Sequence, residues 1–404
     1  MFEKLTRKKV FRDPLYGYIE VEYKLISDLI DSKEVQRLRR IRQLSGVSMV
    51  FQTAEHSRFT HSLGAYMMAK IATESIEGAD NLSEYEKLLF MTTALLHDIG
   101  HGPYSHAFED VIGIEHEIMT EKIILSKDSE VNNILSSYSE NLPYDVASII
   151  THKSNYPLIE KLISSSVDVD RLDYLRRDAY FTGAIYGQID YIRIFRSMKI
   201  ENNNILFRAS GVNSIESYIM SRYHMYFQVY YHPVARSYEY LLENIFKRII
   251  DLKEEGRSLT NANYFFNVLK NKDDITSYIE LDDAYVNGLI KQYTKSKDQI
   301  LNKLSNSFIH RNLYECIDMA TEPDEKMIED IKNSYTEEER KYYFLESKIS
   351  GAAYFKTNKT DINDIKILLP NGNVKSLEDY SPIVKGLIRS SVRIVERIHY
   401  LKNE

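Results

Sequence analysis

A net charge of −7 over 404 residues, with 43% hydrophobic and 27% charged side chains, describes a globular chain with no global attraction to nucleic acid or anionic membrane. The single cysteine, Cys316, excludes an internal disulfide framework and suits a reducing compartment. No apolar run approaches the roughly 18 residues of a membrane span, and Met1-Phe2-Glu3-Lys4 lacks the pattern of a signal peptide, so a cytoplasmic chain without a membrane partner is expected.

Residues 10–22 alternate apolar and polar around Pro14 and Gly17, which predicts a short hairpin. Helical spacing follows over 23–44 and 61–77. Ser83-Glu84-Tyr85-Glu86 is a capping box opening a helix that is apolar on nearly all sides to His97, with Gly100 as its expected stop. Further helices are expected at 115–126, 143–152, 156–164, 168–178, 189–198 and 213–250. No strand–helix alternation appears, so the fold class is mainly α. The remainder is more polar, with charged helices at 281–304 and 323–334. A small β element at 343–378 turns at Asn371-Gly372 and is closed by a helix at 381–401. The expected organisation is a helical core over 1–250, a helical extension over 251–340 and a small α+β element over 341–404.

Six of the eleven histidines fall between His56 and His116. His61, His97, Asp98 and Asp170 have the types of a mixed imidazole and carboxylate site for a divalent ion such as Mn, Fe, Ni or Zn. His97 and Asp98 are neighbours and cannot share one face of a regular helix, but they can converge where the last turn opens ahead of Gly100. A lone His-Asp pair would serve equally well as a helix cap and turn. His106 and His116 are candidates for proton transfer, with Glu109 one helical turn from His106; a solvated His-Glu pair has the same spacing. Asp170, Tyr174 and Asp178 share a helix face suited to a metal, a sugar ring and a hydroxyl in that order, or to a solvated salt-bridge face. Arg58 could hold a phosphate oxygen.

Five separated words carry a resemblance: Asp13–Ile19, Gln36–Arg39, His56–Gly64, Leu96–His106 and Val167–Tyr174. Over roughly residues 9–240 the chain resembles the deoxynucleoside triphosphate triphosphohydrolase branch of the HD superfamily. That resemblance implies a helical HD core and water attack on the α-phosphorus of a dNTP, releasing deoxynucleoside and inorganic triphosphate. By position it implies His61, His97, Asp98 and Asp170 as metal ligands, and His106, Glu109 and His116 as the catalytic group. Gln43, Arg58, His101, Arg171, Tyr174, Asp178, Arg222 and Tyr230 match substrate contacts, with Mg accompanying the triphosphate. Lys9, Val10, Asp31, Gln36 and Arg39 match a GTP or dGTP activator site at the interface of a homo-oligomer, a tetramer or dimer. For the basic run Arg37–Arg42 an exposed helix face is the alternative. Glu109 stands where better-known members have Asp, and Arg171 where one has Lys. Pro233 follows His232 where relatives carry a basic residue. Two other readings stay open: a phosphomonoesterase or phosphodiesterase on other nucleotides or single-stranded nucleic acid, and a non-catalytic dNTP sensor.

Overall fold

The N-terminal strands β1 (Lys4–Asp13) and β2 (Gly17–Tyr23) form the expected hairpin. Asp13 Oδ1 accepts the Leu15 amide at 2.9 Å and Gly17 takes φ +72°, which together close the turn. The structure, a computed structural model, describes residues 2–321, 324–350, 356–357, 360–361, 365–389 and 394–402.

The helix expected over 23–44 is two short ones, α1 (Lys24–Asp31) and α2 (Lys33–Arg37). Ser32 breaks it: its ψ of 149° is extended, and its hydroxyl donates to the Leu29 carbonyl at 2.7 Å. There follow α3 (Arg58–Ser75), α4 (Glu84–Leu96), α5 (His106–Ile112), α6 (His116–Leu125), α7 (Glu130–Tyr138), α8 (Leu142–Ile150), α9 (Pro157–Ile163), α10 (Val169–Thr182) and α11 (Tyr191–Ser197). Helix α4 carries the predicted capping box and is buried from Leu88 to Leu96, packed against α3, which also packs on α10. It ends at Leu96, before Gly100. That glycine is needed for close approach instead: a Cβ there would lie 2.2 Å from the His116 carbonyl oxygen.

Strands β3 (Met198–Glu201) and β4 (Asn204–Arg208) interrupt the helical body, turning through Asn202 and Asn203 at φ 52° and 58°. The single helix expected at 213–250 is α12 (Val212–Met225), a π turn (Tyr226–Tyr230) and α13 (Pro233–Glu254). Pro233 has no amide proton to donate to the preceding turn, so the helix must restart there. After α14 (Asn263–Lys270) and α15 (Ile275–Ile279), the helix expected at 281–304 is also a pair, α16 (Asp283–Tyr293) and α17 (Gln299–His310). Each starts from an aspartate cap, Asp282 and Asp298.

The C-terminal part holds β5 (Glu315–Asp318), α18 (Glu325–Asn333), α19 (Glu337–Tyr343), β6 (Phe344–Ser350), β7 (Lys356–Thr357), β8 (Thr360–Asp361), β9 (Lys366–Leu368), β10 (Val374–Ser376), α20 (Leu377–Tyr380), α21 (Pro382–Arg389) and β11 (Ile394–Tyr400). The apolar run Ala352–Phe355 lies outside the described residues. Strands β9 and β10 pair across the predicted Asn371-Gly372 turn, with Gly372 at φ +83°. The helix expected over 381–401 stops at Arg389, and residues 390–393 lie outside the described ones. Its second half is β11, the middle strand of an antiparallel sheet in the order β5-β11-β6. The β-branched Ile394, Val395 and Ile398 favour a strand once neighbours on both sides pair its backbone. Strand β9 also pairs in parallel with β4, so one sheet ties the C-terminal part to the helical body.

Ser83 Oγ accepts the Glu86 amide at 3.2 Å while Glu86 Oε2 accepts the Ser83 amide at 2.9 Å. Ser83→Ala should therefore lower unfolding free energy by about 1 kcal/mol without altering the site at the other end of α4. Denaturant unfolding of the two proteins checks it.

Candidate active site

Five elements meet where the capped α4 ends. Helix α3 supplies Arg58 and His61, the end of α4 supplies His97 and Asp98, α10 supplies Asp170, and α5 and α6 supply His106, Glu109 and His116. His61 Nε2 lies 3.1 Å from Asp170 Oδ1, 3.3 Å from His97 Nε2 and 3.7 Å from Asp98 Oδ2. His97 Nε2 lies 3.4 Å from Asp170 Oδ1 and 3.3 Å from Asp98 Oδ1.

The tautomers follow from the other ring nitrogens. His61 Nδ1 donates to Asp173 Oδ2 at 2.9 Å, and His97 Nδ1 donates to the Ala94 carbonyl at 2.9 Å. In the neutral rings both Nε2 atoms are therefore bare acceptors, facing each other and two carboxylates. Such a set requires a positive charge in its midst. A proton can supply it: against the effect of burial, Asp170 and Asp173 lift His61 to about 10, and Asp170 is held far below the usual carboxylate range by His61 and His97. A divalent ion fits better, because donor atoms 3.1–3.4 Å apart have the spacing of neighbours around an ion about 2.1 Å from each. His61, His97, Asp98 and Asp170 could hold it.

Behind His61 lies a charged layer that sequence reading left out of the site. Asp173 is fully buried and accepts from His61, from Tyr16 Oη at 2.7 Å and from Arg177 Nε and Nη2, both at 2.9 Å. Arg177 Nη1 in turn donates to Asp13 Oδ2 at 2.8 Å, which brings the N-terminal hairpin under the site. The contact is tight enough to exclude any side chain at Gly64, where a Cβ would lie 1.9 Å from Asp173 Oδ1. The spacing Asp173 to Arg177, one helical turn, was a signal for this pair.

On the cavity side Arg58 donates from Nη1 to Asp98 Oδ2 and from Nε to Ser105 Oγ at 2.9 Å. Burial alone would raise the Asp98 carboxyl, but His97, His101 and Arg58 hold it well below its ordinary value. The three histidines of the second cluster surround Glu109. His101 Nδ1 is 3.0 Å and His116 Nδ1 3.1 Å from Glu109 Oε1, and His106 Nδ1 is 3.4 Å from Oε2. The His101 and His116 rings stack at 3.8 Å. Burial, Arg58 and His116 push His101 down to about 4, so it is neutral at pH 7, whereas Glu109 raises the more exposed His106. Tyr104 and Ser105, between these clusters, take φ values of +56° and +52°. For side chains of this size that conformation costs on the order of 1–3 kcal/mol each, which the surroundings must offset.

A cavity of about 480 Å³ opens over these groups. Gln43, Arg58, His101, Arg171, Tyr174, Asp178 and Tyr230 line it, as the sequence led one to expect, together with Tyr226, Tyr231, Arg236 and Glu239, which it did not. Gln43 Oε1 is buried without a hydrogen-bond partner among the described residues. Asp178 is held by His56 Nε2 at 2.8 Å and Tyr230 Oη at 2.7 Å. His56 thus has a role beyond its place in the His56–Gly64 word. Arg171 donates to Asp168 and, at 2.8 Å, to the Ser165 carbonyl. Arg222 is not on the cavity wall; it packs behind it, 5.6 Å from the Tyr226 ring. Of the residues expected at an activator site, Lys9 pairs with Asp31 at 2.6 Å and Arg39 with Gln36 at 2.8 Å. Gln36 also reaches the Ile30 carbonyl beside Asp31, and Val10 is exposed on β1.

The sequence profile of the HD domain matches residues 58–178, and that of the HD associated region matches residues 189–397. The chain belongs to the HD-domain family. It is 38% identical to the uncharacterized protein YwfO of Bacillus subtilis, over 99% of this chain and 94% of that one. A deoxynucleoside triphosphate triphosphohydrolase SAMHD1 homolog of Dictyostelium discoideum is 29% identical over 77% of this chain and 60% of its own length. A crystal structure of a phosphohydrolase from Bacteroides thetaiotaomicron superposes with TM-score 0.86 at 27% identity, over 98% of this chain and 100% of the other. The chain is thus an HD-type phosphohydrolase of the branch that includes dNTPase-like members.

Two outcomes follow from the site. Asp173→Asn should weaken binding of Mn²⁺ by about 10- to 100-fold in titration calorimetry, because the amide no longer fixes the His61 tautomer. Loading the native protein with Mn²⁺ at pH 7 should release protons, since His61, lifted to about 10, carries one until the ion replaces it. Calorimetry in buffers of different ionisation enthalpy measures that release.

Proposed function

We propose that the chain hydrolyses deoxynucleoside triphosphates to deoxynucleoside and inorganic triphosphate. The observation that carries this reading is one cavity lined both by a cationic and imidazole group, Arg58, His101, His106, His116 and Arg171, and by a hydroxyl-reading group, Gln43, Tyr174, Asp178 and Tyr230. A phosphate tail and a sugar are what those two chemistries recognise together.

His61, His97, Asp98 and Asp170 would hold the divalent ion, which when bound acidifies water and polarises a phosphoryl oxygen. Arg58 and Arg171 offset charge growing on the phosphoryl oxygens. Water adds to the α-phosphorus as its bond to O5′ breaks, and the departing O5′ needs a proton. His106 is suited to give it: Glu109 favours its protonated form, and it sits toward the cavity mouth. His101, pushed down to about 4, stays neutral and can hydrogen-bond a phosphate without competing for that proton. Two oxygens of Asp178 are each engaged once, leaving lone pairs to accept a 3′-hydroxyl. The unpartnered Gln43 Oε1 offers a second acceptor. The Tyr174 ring against C2′ would disfavour a ribose hydroxyl. GTP or dGTP bound by Lys9, Val10, Asp31, Gln36 and Arg39 between copies of the chain is the regulatory part of the proposal.

Purified protein with Mn²⁺ or Mg²⁺ should release triphosphate from at least one dNTP and from no ribonucleotide. His97→Ala or Asp98→Ala should abolish release while leaving circular dichroism unchanged. If GTP stimulates the rate, Asp31→Ala should remove the stimulation. Monophosphate and pyrophosphate as the only products would overturn the reaction assignment.

A further inference from the structure

The segment Tyr278–Asn287 lies beyond the HD domain and touches none of the cavity, yet it holds the backbone that carries Asp98 and His101. Tyr278 Oη donates to the Gly100 carbonyl at 2.7 Å. Asp283 is buried; its Oδ1 accepts the Tyr104 amide at 2.8 Å and its Oδ2 the Arg42 amide at 2.9 Å. Asn287 Oδ1 accepts the Tyr104 hydroxyl at 2.7 Å. Arg37 completes the contact from the other side. Its guanidinium is fully buried with no carboxylate in hydrogen-bond contact among the described residues, and donates to the His101 carbonyl at 2.9 Å, to the Ile99 carbonyl at 3.4 Å and twice to the Leu281 carbonyl, at 3.0 and 2.7 Å.

We infer that Tyr278, Asp283 and Asn287 of the HD-associated region, joined through Arg37, are positioning residues: they clamp the loop Ile99–Ser105, with Tyr104 and Ser105 at positive φ, so that the groups on either side of it meet over the cavity. Three facts point the same way. All but one of the hydrogen bonds fall on the loop's backbone, at Ile99, Gly100, His101 and Tyr104; the exception is the Tyr104 hydroxyl on Asn287. Tyr104 and the next residue, Ser105, are the two with positive φ, and Ser105 is the hydroxyl that receives Arg58. A charged side chain is spent on carbonyls deep in the core, where a hydrophobic residue would pack without desolvation. Within the proposed reaction, to which the rate measurements below refer, the clamp fixes the approach of His101, Arg58 and Asp98 to the phosphate; displacement by about 1 Å can cost a rate on the order of 100-fold.

The test uses the full chain, with Asp283→Ala and the gentler Tyr278→Phe and Asn287→Ala, each of which removes a single hydrogen bond. Amide exchange over residues 99–105 is read first, because it needs no substrate. Asp283→Ala should speed exchange of the Tyr104 amide by at least about tenfold, while amides of β3 and β4 stay as in the native protein. With a dNTP, kcat should fall about tenfold or more with KM within about twofold, and Asp283→Asn, which keeps one acceptor for Tyr104, should recover part of the rate. Unchanged exchange at 99–105 in folded Asp283→Ala, or a rate loss that follows melting temperature alone, would overturn the clamp. If Asp283→Ala does not fold, Tyr278→Phe and Asn287→Ala carry the same two readouts. A native protein that turns over no dNTP would overturn the proposed reaction and leave the exchange result to decide the clamp.

Discussion

Asp173 has no exposed surface and accepts hydrogen bonds from three separate elements: Tyr16 beyond the hairpin strand β1, His61 on α3 and Arg177 on its own helix α10. A carboxylate so placed cannot be left unpaired without a cost of several kcal/mol, so the three elements are held at one distance from one another. That distance sets the rest. With His61 Nδ1 committed to Asp173, Nε2 must face Asp170 and His97, the groups that could hold a cation.

The two histidine groups are kept in different protonation states by different neighbours. Around His61 two carboxylates outweigh burial and the ring stays charged unless an ion replaces its proton. Around His101 burial joins with Arg58 and His116, and the ring stays neutral. Glu109 separates the second group internally, since it serves three imidazoles and raises the more exposed His106. Its one carboxyl lies within 3.4 Å of all three rings.

Much of the helical core could be read from the sequence, because the capping box at Ser83, the apolar α4 and the His-Asp pair are all local patterns. The residues that could hold a metal were marked by their types, and the cavity-lining residues Gln43, Arg171 and Tyr230 were named through the family resemblance. What escaped was decided by distant partners. Asp13, Tyr16 and His56 look like turn and loop residues until α10 is folded against them. Strand β11 reads as helix because the pattern cannot show that β5 and β6 flank it. Arg222 has the composition of a cavity cation and lies behind the wall, since nothing local says which way α12 is turned.

The π turn Tyr226–Tyr230 bears on how this chain can tolerate change in length. A π turn is an α-helix with one residue added, and each residue of an α-helix advances about 100° around the axis. Loss of one residue among Phe227, Gln228 and Val229 would let the turn relax to ordinary helix and rotate Tyr230 by that angle. Tyr230 would leave Asp178, although no residue of the site had itself been exchanged. In this stretch the spacing of the chain is as much a part of the binding surface as the tyrosines themselves.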